Sequence, residues 1–471
     1  LEEFEKYIYN KKVAIIGIGV SNKPLLDYFY KLGAKVTVFD NKKLEQIDLE
    51  IREKLIKYSF EFSFGDNCLE KLKGFNIIFR SPSCRPDKPE ILEELKRGAI
   101  LTSEIEMLME LCPGIIIGIT GSDGKTTTTS LIYEIIKQNG YECYLGGNIG
   151  IPLFTKVHEM TQNSIVVLEL SSFQLMNMKI SPNISIITNV SPNHLDIHKS
   201  YDEYINAKKN IFLHQNEDDV VVLNYDNEIT NKFAKEANGK IVFFSRKERL
   251  DDGVICDNGI LKICEDKLRR HVLITKDLKL RGNHNIENVC AAISATKDLV
   301  PIDNIVKTIK DFKGVEHRLE FVRKINGVKW YNDSIGTSPT RTIAGLNSFD
   351  ENIVLIAGGY DKHLDYSPIA KPIIDNVRVL ILMGTTANKI REAVESELKK
   401  ENDNQKNNID SREQNYIHNK KLIIYDCKTL NECIQIAKMI AIKGEVVLFS
   451  PASASFDMFK NFEERGNKFK E

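Results

Sequence analysis

Gly118-Ile-Thr-Gly121-Ser-Asp-Gly124-Lys125-Thr126-Thr127 decides how the middle of this chain folds. The apolar run Ile115–Ile117 stands before it, and the helix-spaced residues Leu131, Ile132, Ile135 and Ile136 follow. Strand, glycine loop and helix N-terminus in that order predict a phosphate cradle. Glycines let backbone N–H groups close around phosphate oxygens, and the helix N-terminus adds positive potential. Lys125 and Thr126 are placed to reach phosphate and Mg²⁺. Ile119 stands where the common Gly-x4-Gly-Lys-Thr loop has its first glycine, which points away from an ordinary GTPase or kinase. A nucleoside triphosphate is the expected ligand, held by Gly121, Ser122, Asp123, Gly124, Lys125, Thr126 and Thr127.

The bulk properties fit a soluble α/β protein. A length of 471 residues predicts about three domains, each large enough for its own core. Apolar residues make up 42% and charged residues 28%, with a formal charge of −1, so no global attraction to nucleic acid or anionic membrane is expected. No apolar run approaches the ~20 residues of a membrane span, and Leu1-Glu-Glu-Phe-Glu has no leader pattern. Leu1 in place of methionine suggests an alternative start codon or a trimmed chain. The nine cysteines are scattered without a Cys-x-x-Cys pair, which predicts neither a disulfide framework nor a zinc cage. A cytosolic monomer acting on small molecules is the simplest expectation.

Three segments follow from the patterning. Residues 1–106 open with Lys12–Ile16, the turn Gly17-Ile-Gly19-Val-Ser21, a helical stretch, and Lys35–Phe39 ending at Asp40. This is a Rossmann-like βαβ unit, but Asn22 replaces the third glycine of the dinucleotide fingerprint, so a dinucleotide and a nucleotide-diphosphate sugar fit equally. Residues 107–313 carry the phosphate loop and strands at 165–170, 184–189, 220–223 and 241–244, predicting a mainly parallel sheet. Residues 314–471 begin with a hairpin turning on Asn326-Gly327 and continue as a second Rossmann-like, doubly wound pattern. Within it, Glu397–Lys420 is polar and reads as a mobile insertion.

Further candidates are spread along the middle segment. Glu169 ends an apolar strand, where a Mg²⁺-binding carboxylate or a plain surface charge would equally sit. Asn148 lies in the tight loop Gly146–Gly150, which could be a simple turn. His194 ends another strand in Asn189-Val-Ser-Pro-Asn-His194-Leu-Asp196, and a lone histidine is most often structural. Lys208 sits on a helix opened by the capping box Ser200-x-x-Glu203, where a lysine is ordinarily a solvated charge.

Taken together and in order, these stretches resemble the Mur ligases, ATP-dependent amide-forming enzymes of bacterial cell-wall precursor synthesis. Gly121–Thr127, Gly147–Gly150, Glu169–Gln174, Asn189–Asp196, Gly282–Asn285, His317–Glu320 and Asn332–Ser334 carry the likeness, which spans the chain apart from 397–420. Asp333-Ser-Ile-Gly-Thr337, Gly358-Gly-Tyr-Asp361-Lys362 and Ser450–Gly466 are most similar to the branch that adds D-glutamate to UDP-N-acetylmuramoyl-L-alanine. The resemblance implies ATP and two Mg²⁺ ions, with Thr126 and Glu169 on one ion, His194 and a carbamylated Lys208 on the other, and Lys125 on the phosphates. It implies Asn288, Arg318 and Asp333 on ATP, and Thr337, Lys362, Ser455, Phe456 and Phe462 around D-glutamate. The uridine nucleotide falls to Gly19, Val20, Ser21, Asp40 and Ser81, with Asn148 nearby. It further implies that the last domain closes to exclude water from an acyl phosphate.

This chain departs from the family at Asn41-Lys42, where Thr-Arg is frequent. Ser83-Cys84 stand where a glycine commonly follows Ser-Pro, and Ile335 stands where some members have lysine. The rival readings are another ligase of this architecture, adding L-alanine or a later residue or acting on folylpolyglutamate, and a non-catalytic nucleotide-binding module. An NAD dehydrogenase lacks its third glycine.

Overall fold

The computed structural model describes residues 1–192, 197–362, 364–407 and 422–471, without the side chains of 401–407. Two compact units result: Leu1–Asp277 with Ile286–Lys310, and Leu278–Asn285 with Asp311–Glu471.

The first unit holds two sheets. In one, β1 (Lys12–Ile16), β2 (Lys35–Asp40), β3 (Glu61–Phe64), β4 (Ile77–Arg80) and β5 (Ile100–Thr102) lie in the order β3-β2-β1-β4-β5, all parallel. Its central strands read as unbroken apolar runs because helices cover both faces.

The other sheet comprises β6 (Ile115–Thr120), β7 (Cys143–Gly147), β8 (Ile165–Glu169), β9 (Ile184–Ile187), β10 (Val220–Asn224), β11 (Lys240–Ser245), β12 (Gly253–Asp257), β13 (Ile260–Glu265) and β14 (Leu268–Ile274). The order is β14-β13-β12-β11-β10-β9-β6-β8-β7. It is parallel from β7 to β12, and β12–β14 form an antiparallel meander. One continuous apolar core joins the two sheets. Phe154 is its hub, with ring centroids 6.0 Å from Phe4, 5.0 Å from Tyr28 and 6.2 Å from Phe79. The helix Glu104–Leu111, capped by Ser103, crosses the 106/107 boundary read from the sequence.

In the second unit, β15 (Glu320–Ile325), β16 (Val328–Asn332), β17 (Ile353–Ala357), β18 (Val377–Leu382), β19 (Ile423–Asp426) and β20 (Val446–Phe449) are ordered β15-β16-β20-β17-β18-β19. Only the β15–β16 hairpin is antiparallel. Its turn residues Asn326 and Gly327 have φ of 50° and 81°, the left-handed pair that matches strand twist.

One expectation is corrected here. The helix Ala387–Asn407 runs into the segment read as a mobile insertion from 397. Leu398 packs against the core of the third sheet, and Lys400 pairs with Glu397 at 3.2 Å, so this part of the polar run is tied down. Residues 408–420 lie outside the described residues.

Candidate functional site

β6 ends at Thr120, and the helix Lys125–Gln138 begins after Gly124 in the left-handed region, φ 81°. No side chain caps that helix, so its first-turn N–H groups remain directed into the loop. Lys125 Nζ lies on the loop itself, donating to Gly121 O (2.9 Å) and Ser122 O (3.1 Å). Thr126 and Thr127 continue the first turn. The loop is laced to the end of β9: Ser122 N donates to Asn189 O (2.9 Å), Asp123 N to Asn189 Oδ1 (3.0 Å), and Thr188 Oγ1 to Asp123 O (2.5 Å). Asn288 presses on its tip. A Cβ on Gly124 would fall 2.3 Å from Asn288 Oδ1, whose oxygen also accepts from Thr128 Oγ1 (3.3 Å). Gly124→Ala therefore meets both a strained φ and an amide with little room to retreat. It should weaken ATP binding at least about tenfold, with a small change in melting temperature, as fluorescent-nucleotide titration would measure.

Glu169, at the end of β8, is buried. Its Oε1 accepts from Asn148 Nδ2 (2.8 Å), and its backbone O accepts from Asn148 N (2.7 Å), an approach that needs the bare Gly147 at φ 94°. Its Oε2 is buried with no hydrogen-bond partner among the described residues. An orphan carboxylate oxygen beside a phosphate loop suits a hard cation, and Mg²⁺ is commonly held by one or two carboxylates plus phosphate oxygens. The residues fit that ion.

Lys208, on the helix Tyr201–Lys209, is 1% exposed. Its Nζ donates to Gly121 O (2.8 Å) and Thr120 Oγ1 (3.4 Å) and lies 4.7 Å over the Tyr204 ring. The solvated-lysine reading is excluded. Burial first, then the Lys125 charge, holds its ammonium well below the usual lysine range, against the pull of Asp123 and Glu169. Of the capping box, only half forms: Ser200 Oγ accepts from Glu203 N (3.1 Å), while the Glu203 carboxylate turns to Lys199 N (2.6 Å) and Arg85 (2.7 Å). His194 lies outside the described residues.

Sequence reasoning missed Tyr204, whose OH bonds Ser122 Oγ (2.9 Å), and the buried His198, whose Nε2 bonds Ser172 Oγ (2.9 Å). The signal for Tyr204 was its i, i+4 spacing from Lys208 on one helix face.

At the C-terminal edge of the first sheet, Gly19 and Val20 are exposed and Ser21 half-buried. Asp40 is not a free strand-end acid. Its Oδ2 accepts from Ile18 N (2.8 Å) and its Oδ1 from Lys42 N (3.0 Å), so it holds the glycine turn against its own loop. Ser81 packs on that turn: a Cβ on Gly17 would sit 2.4 Å from Ser81 Oγ.

In the second unit, Asp333 follows β16 and accepts from Ser450 Oγ (2.6 Å) and Leu319 N (3.2 Å). Arg318 sits between His317 and Leu319, which both hold left-handed φ (62° and 43°), the kind of strain found at functional turns. Burial raises the Asp333 carboxyl from 3.8 to about 6, although Ser450 and Arg318 oppose it. Because the folded value lies above the unfolded one, the folded state holds the proton longer. Stability should therefore fall as pH rises from about 4 to about 6 and level off above; NMR titration of the Asp333 carboxyl should give a midpoint near 6.

Loops after β17 and β20 meet through an isolated antiparallel bridge, Tyr360 with Ala454. Lys362 Nζ lies 5.8 Å over the ring of Phe456, which is 60% exposed. Ser455 is buried, and Phe462 opens the helix Phe462–Lys470, its backbone O accepting from Ser334 Oγ (2.8 Å). Thr337 follows on the same loop as Ser334, its N donating to Ile335 O (2.8 Å). The five residues expected around D-glutamate thus belong to loops gathered at the C-terminal ends of parallel strands, where open α/β sheets bind ligands.

Fold and loop define a phosphate-loop nucleotide-binding protein with a second α/β unit. The Mur ligase middle domain matches residues 119–296 and the Mur ligase glutamate ligase domain residues 317–453. The chain is 49% identical to a UDP-N-acetylmuramoylalanine–D-glutamate ligase of Acetivibrio thermocellus, over 100% of this chain and 98% of that protein. It is also 49% identical to the enzyme of the same name from Clostridium tetani, over 99% and 97%. Among solved structures, MurF of Acinetobacter baumannii is similar at a TM-score of 0.58 and 15% identity, over 99% and 92% of the two chains. UDP-N-acetylmuramate–alanine ligase MurC of Thermotoga maritima gives 0.56 and 18%, over 98% of each, a likeness of fold alone. This chain belongs to the Mur ligase family.

Proposed function

We propose that this chain joins D-glutamate to UDP-N-acetylmuramoyl-L-alanine at the cost of ATP, forming ADP and phosphate. The observation that carries the reading is the pairing of a phosphate loop with a buried Lys208 and an orphaned Glu169 oxygen, in a chain half identical to D-glutamate ligases over its length. Three domains are proposed, one per sheet: a UDP-substrate domain with a Rossmann-like fold, an ATP domain, and a Rossmann-like amino-acid domain. UDP-linked precursors place the reaction in the cytosol.

A carboxylate resists attack by an amine because oxide would have to leave. The substrate carboxylate attacks the γ-phosphorus of ATP, the bond to the β,γ-bridging oxygen breaks, and an acyl phosphate and ADP form. The D-glutamate amine then attacks the acyl carbon, loses a proton, and expels phosphate from the tetrahedral intermediate. Lys125 and the first-turn N–H groups after Gly124 hold the phosphates and stabilise charge developing on them. Asn288 fixes the tip of the loop and Asn148 orients Glu169. Thr126 and Glu169, with His194 and Lys208 as a carbamate, would hold Mg²⁺, which supplies Lewis acidity to the phosphate and carboxylate oxygens. Arg318 and Asp333 are assigned to the nucleotide. Lys362 meets a carboxylate of D-glutamate, in an apolar frame of Phe456 and Phe462 with Ser455 and Thr337. Gly19, Val20, Ser21 and Ser81 take the uridine diphosphate, and Asp40 shapes their loop.

Purified chain given ATP, Mg²⁺, UDP-N-acetylmuramoyl-L-alanine and a panel of amino acids should release ADP and form a UDP-linked product with D-glutamate. Equal turnover with L-alanine, or none with D-glutamate, would overturn the reading.

A further inference from the structure

We propose that Arg80 is a positioning residue that shapes the first sheet's diphosphate loop and clasps it to the segment behind Glu169; this rests on the function proposed above. Arg80 ends β4 and is 2% exposed. One nitrogen, Nη1, donates to Ser81 O (3.2 Å) and Cys84 O (2.7 Å), the two carbonyls that bracket the loop. The other, Nη2, donates to Phe173 O (3.0 Å) and Asn177 Oδ1 (2.6 Å), in the stretch that follows Glu169.

All four acceptors are neutral, so no carboxylate hydrogen-bonds this guanidinium. Glu106 supplies only a more distant attraction, and its own Oε1 accepts from Lys179 N (3.0 Å). A buried cation whose hydrogen bonds all go to uncharged groups keeps much of its field. That field lies beneath the loop assigned to a diphosphate, a group with at least two negative charges.

The loop also needs an external clamp. It carries Ser83-Cys84 where related loops commonly have a glycine. Here the turn is closed by Cys84 N on Ser81 O (3.1 Å), by Ser81 Oγ with Ser83 Oγ (2.8 Å), and by the two Arg80 contacts. Arg80 thereby supplies from outside what a glycine supplies through backbone freedom. Only a planar fork serves two carbonyls on one edge and two acceptors on the other; a lysine ammonium lacks that shape.

Arg80→Ala and Arg80→Lys test this. The KM for UDP-N-acetylmuramoyl-L-alanine should rise at least tenfold in Arg80→Ala and several-fold in Arg80→Lys. The KM values for ATP and D-glutamate should stay within twofold, and millimolar guanidinium, but not methylammonium, should restore part of the loss in Arg80→Ala. If Arg80→Ala does not fold, Arg80→Lys carries the comparison. An unchanged KM for the UDP substrate, or an equal rise in all three KM values with a lowered Tm, would reduce Arg80 to a plain buttress and overturn the proposal. UDP alone, titrated by calorimetry, separates this from the function itself. A wild-type chain that binds UDP but makes no D-glutamate product sinks the function, while tenfold weaker UDP binding by the variants still supports Arg80 and equal binding overturns it. A wild-type chain that does not bind UDP sinks both.

Discussion

Lys125→Met will give a folded chain that has lost ligation by a factor of about 10³ or more, roughly 4 kcal/mol of transition-state stabilisation. The reason is local. With no nucleotide, Lys125 is held by carbonyls of its own loop, Gly121 O and Ser122 O, so its removal deletes few contacts that hold the fold. Transfer of the γ-phosphoryl group concentrates negative charge beside the one side-chain cation of the loop, and a thioether of similar length cannot answer it. A second effect acts in the same direction. The Lys125 charge helps keep the Lys208 amine unprotonated, so its loss lets the Lys208 pKa rise and lowers the fraction able to take up CO₂. Steady-state ADP release with saturating D-glutamate checks this, together with the melting temperature. A variant that keeps more than a tenth of wild-type turnover would contradict it.

The parts of this site readable from sequence were those whose chemistry is local. Gly121, Gly124 and Lys125 announce a phosphate loop because backbone freedom, helix start and cation are encoded within seven residues of one another. The Asn326-Gly327 hairpin was readable for the same reason. What escaped depends on partners remote in the chain. Arg80 finds Phe173 and Asn177 93 and 97 residues away, and Tyr204 finds Ser122 82 residues back. Nothing near Arg80 in sequence distinguishes it from a solvated arginine. Asp40 misled in the opposite sense: a strand-end acid suggests a ligand contact, yet backbone N–H groups occupy both its oxygens. The polar run after 397 looked too hydrophilic to order, but a single apolar residue, Leu398, anchors its first turns to the core. Composition averages over a window, whereas one well-placed contact decides where a helix stops.

Lys208→Ala should be as damaging as loss of Lys125, and its accompanying signs distinguish a functional lysine from a structural one. The side chain is buried, with its Nζ on Gly121 O and Thr120 Oγ1. Burial and the neighbouring Lys125 disfavour the ammonium there, so the neutral amine, the form that adds CO₂, is favoured far below the usual lysine range. Addition turns the nitrogen into part of a carbamate with two anionic oxygens, which Mg²⁺ accepts as ligands and an ammonium cannot be. Lys208→Ala should therefore lose about 10³ in ligation and recover part of it with millimolar acetate or formate, which place a carboxylate in the vacated space. The sign of the stability effect follows from the same shift. The unfolded lysine binds a proton up to its ordinary 10.5 and the buried one does not, so burial of Lys208 opposes folding more as pH falls from there towards the folded value. Lys208→Met keeps the volume and removes that penalty. It should melt at or above the wild-type temperature at pH 6 while remaining inactive. Activity within tenfold of wild type in either variant, or rescue absent while ATP still binds, would remove the carbamate from the mechanism.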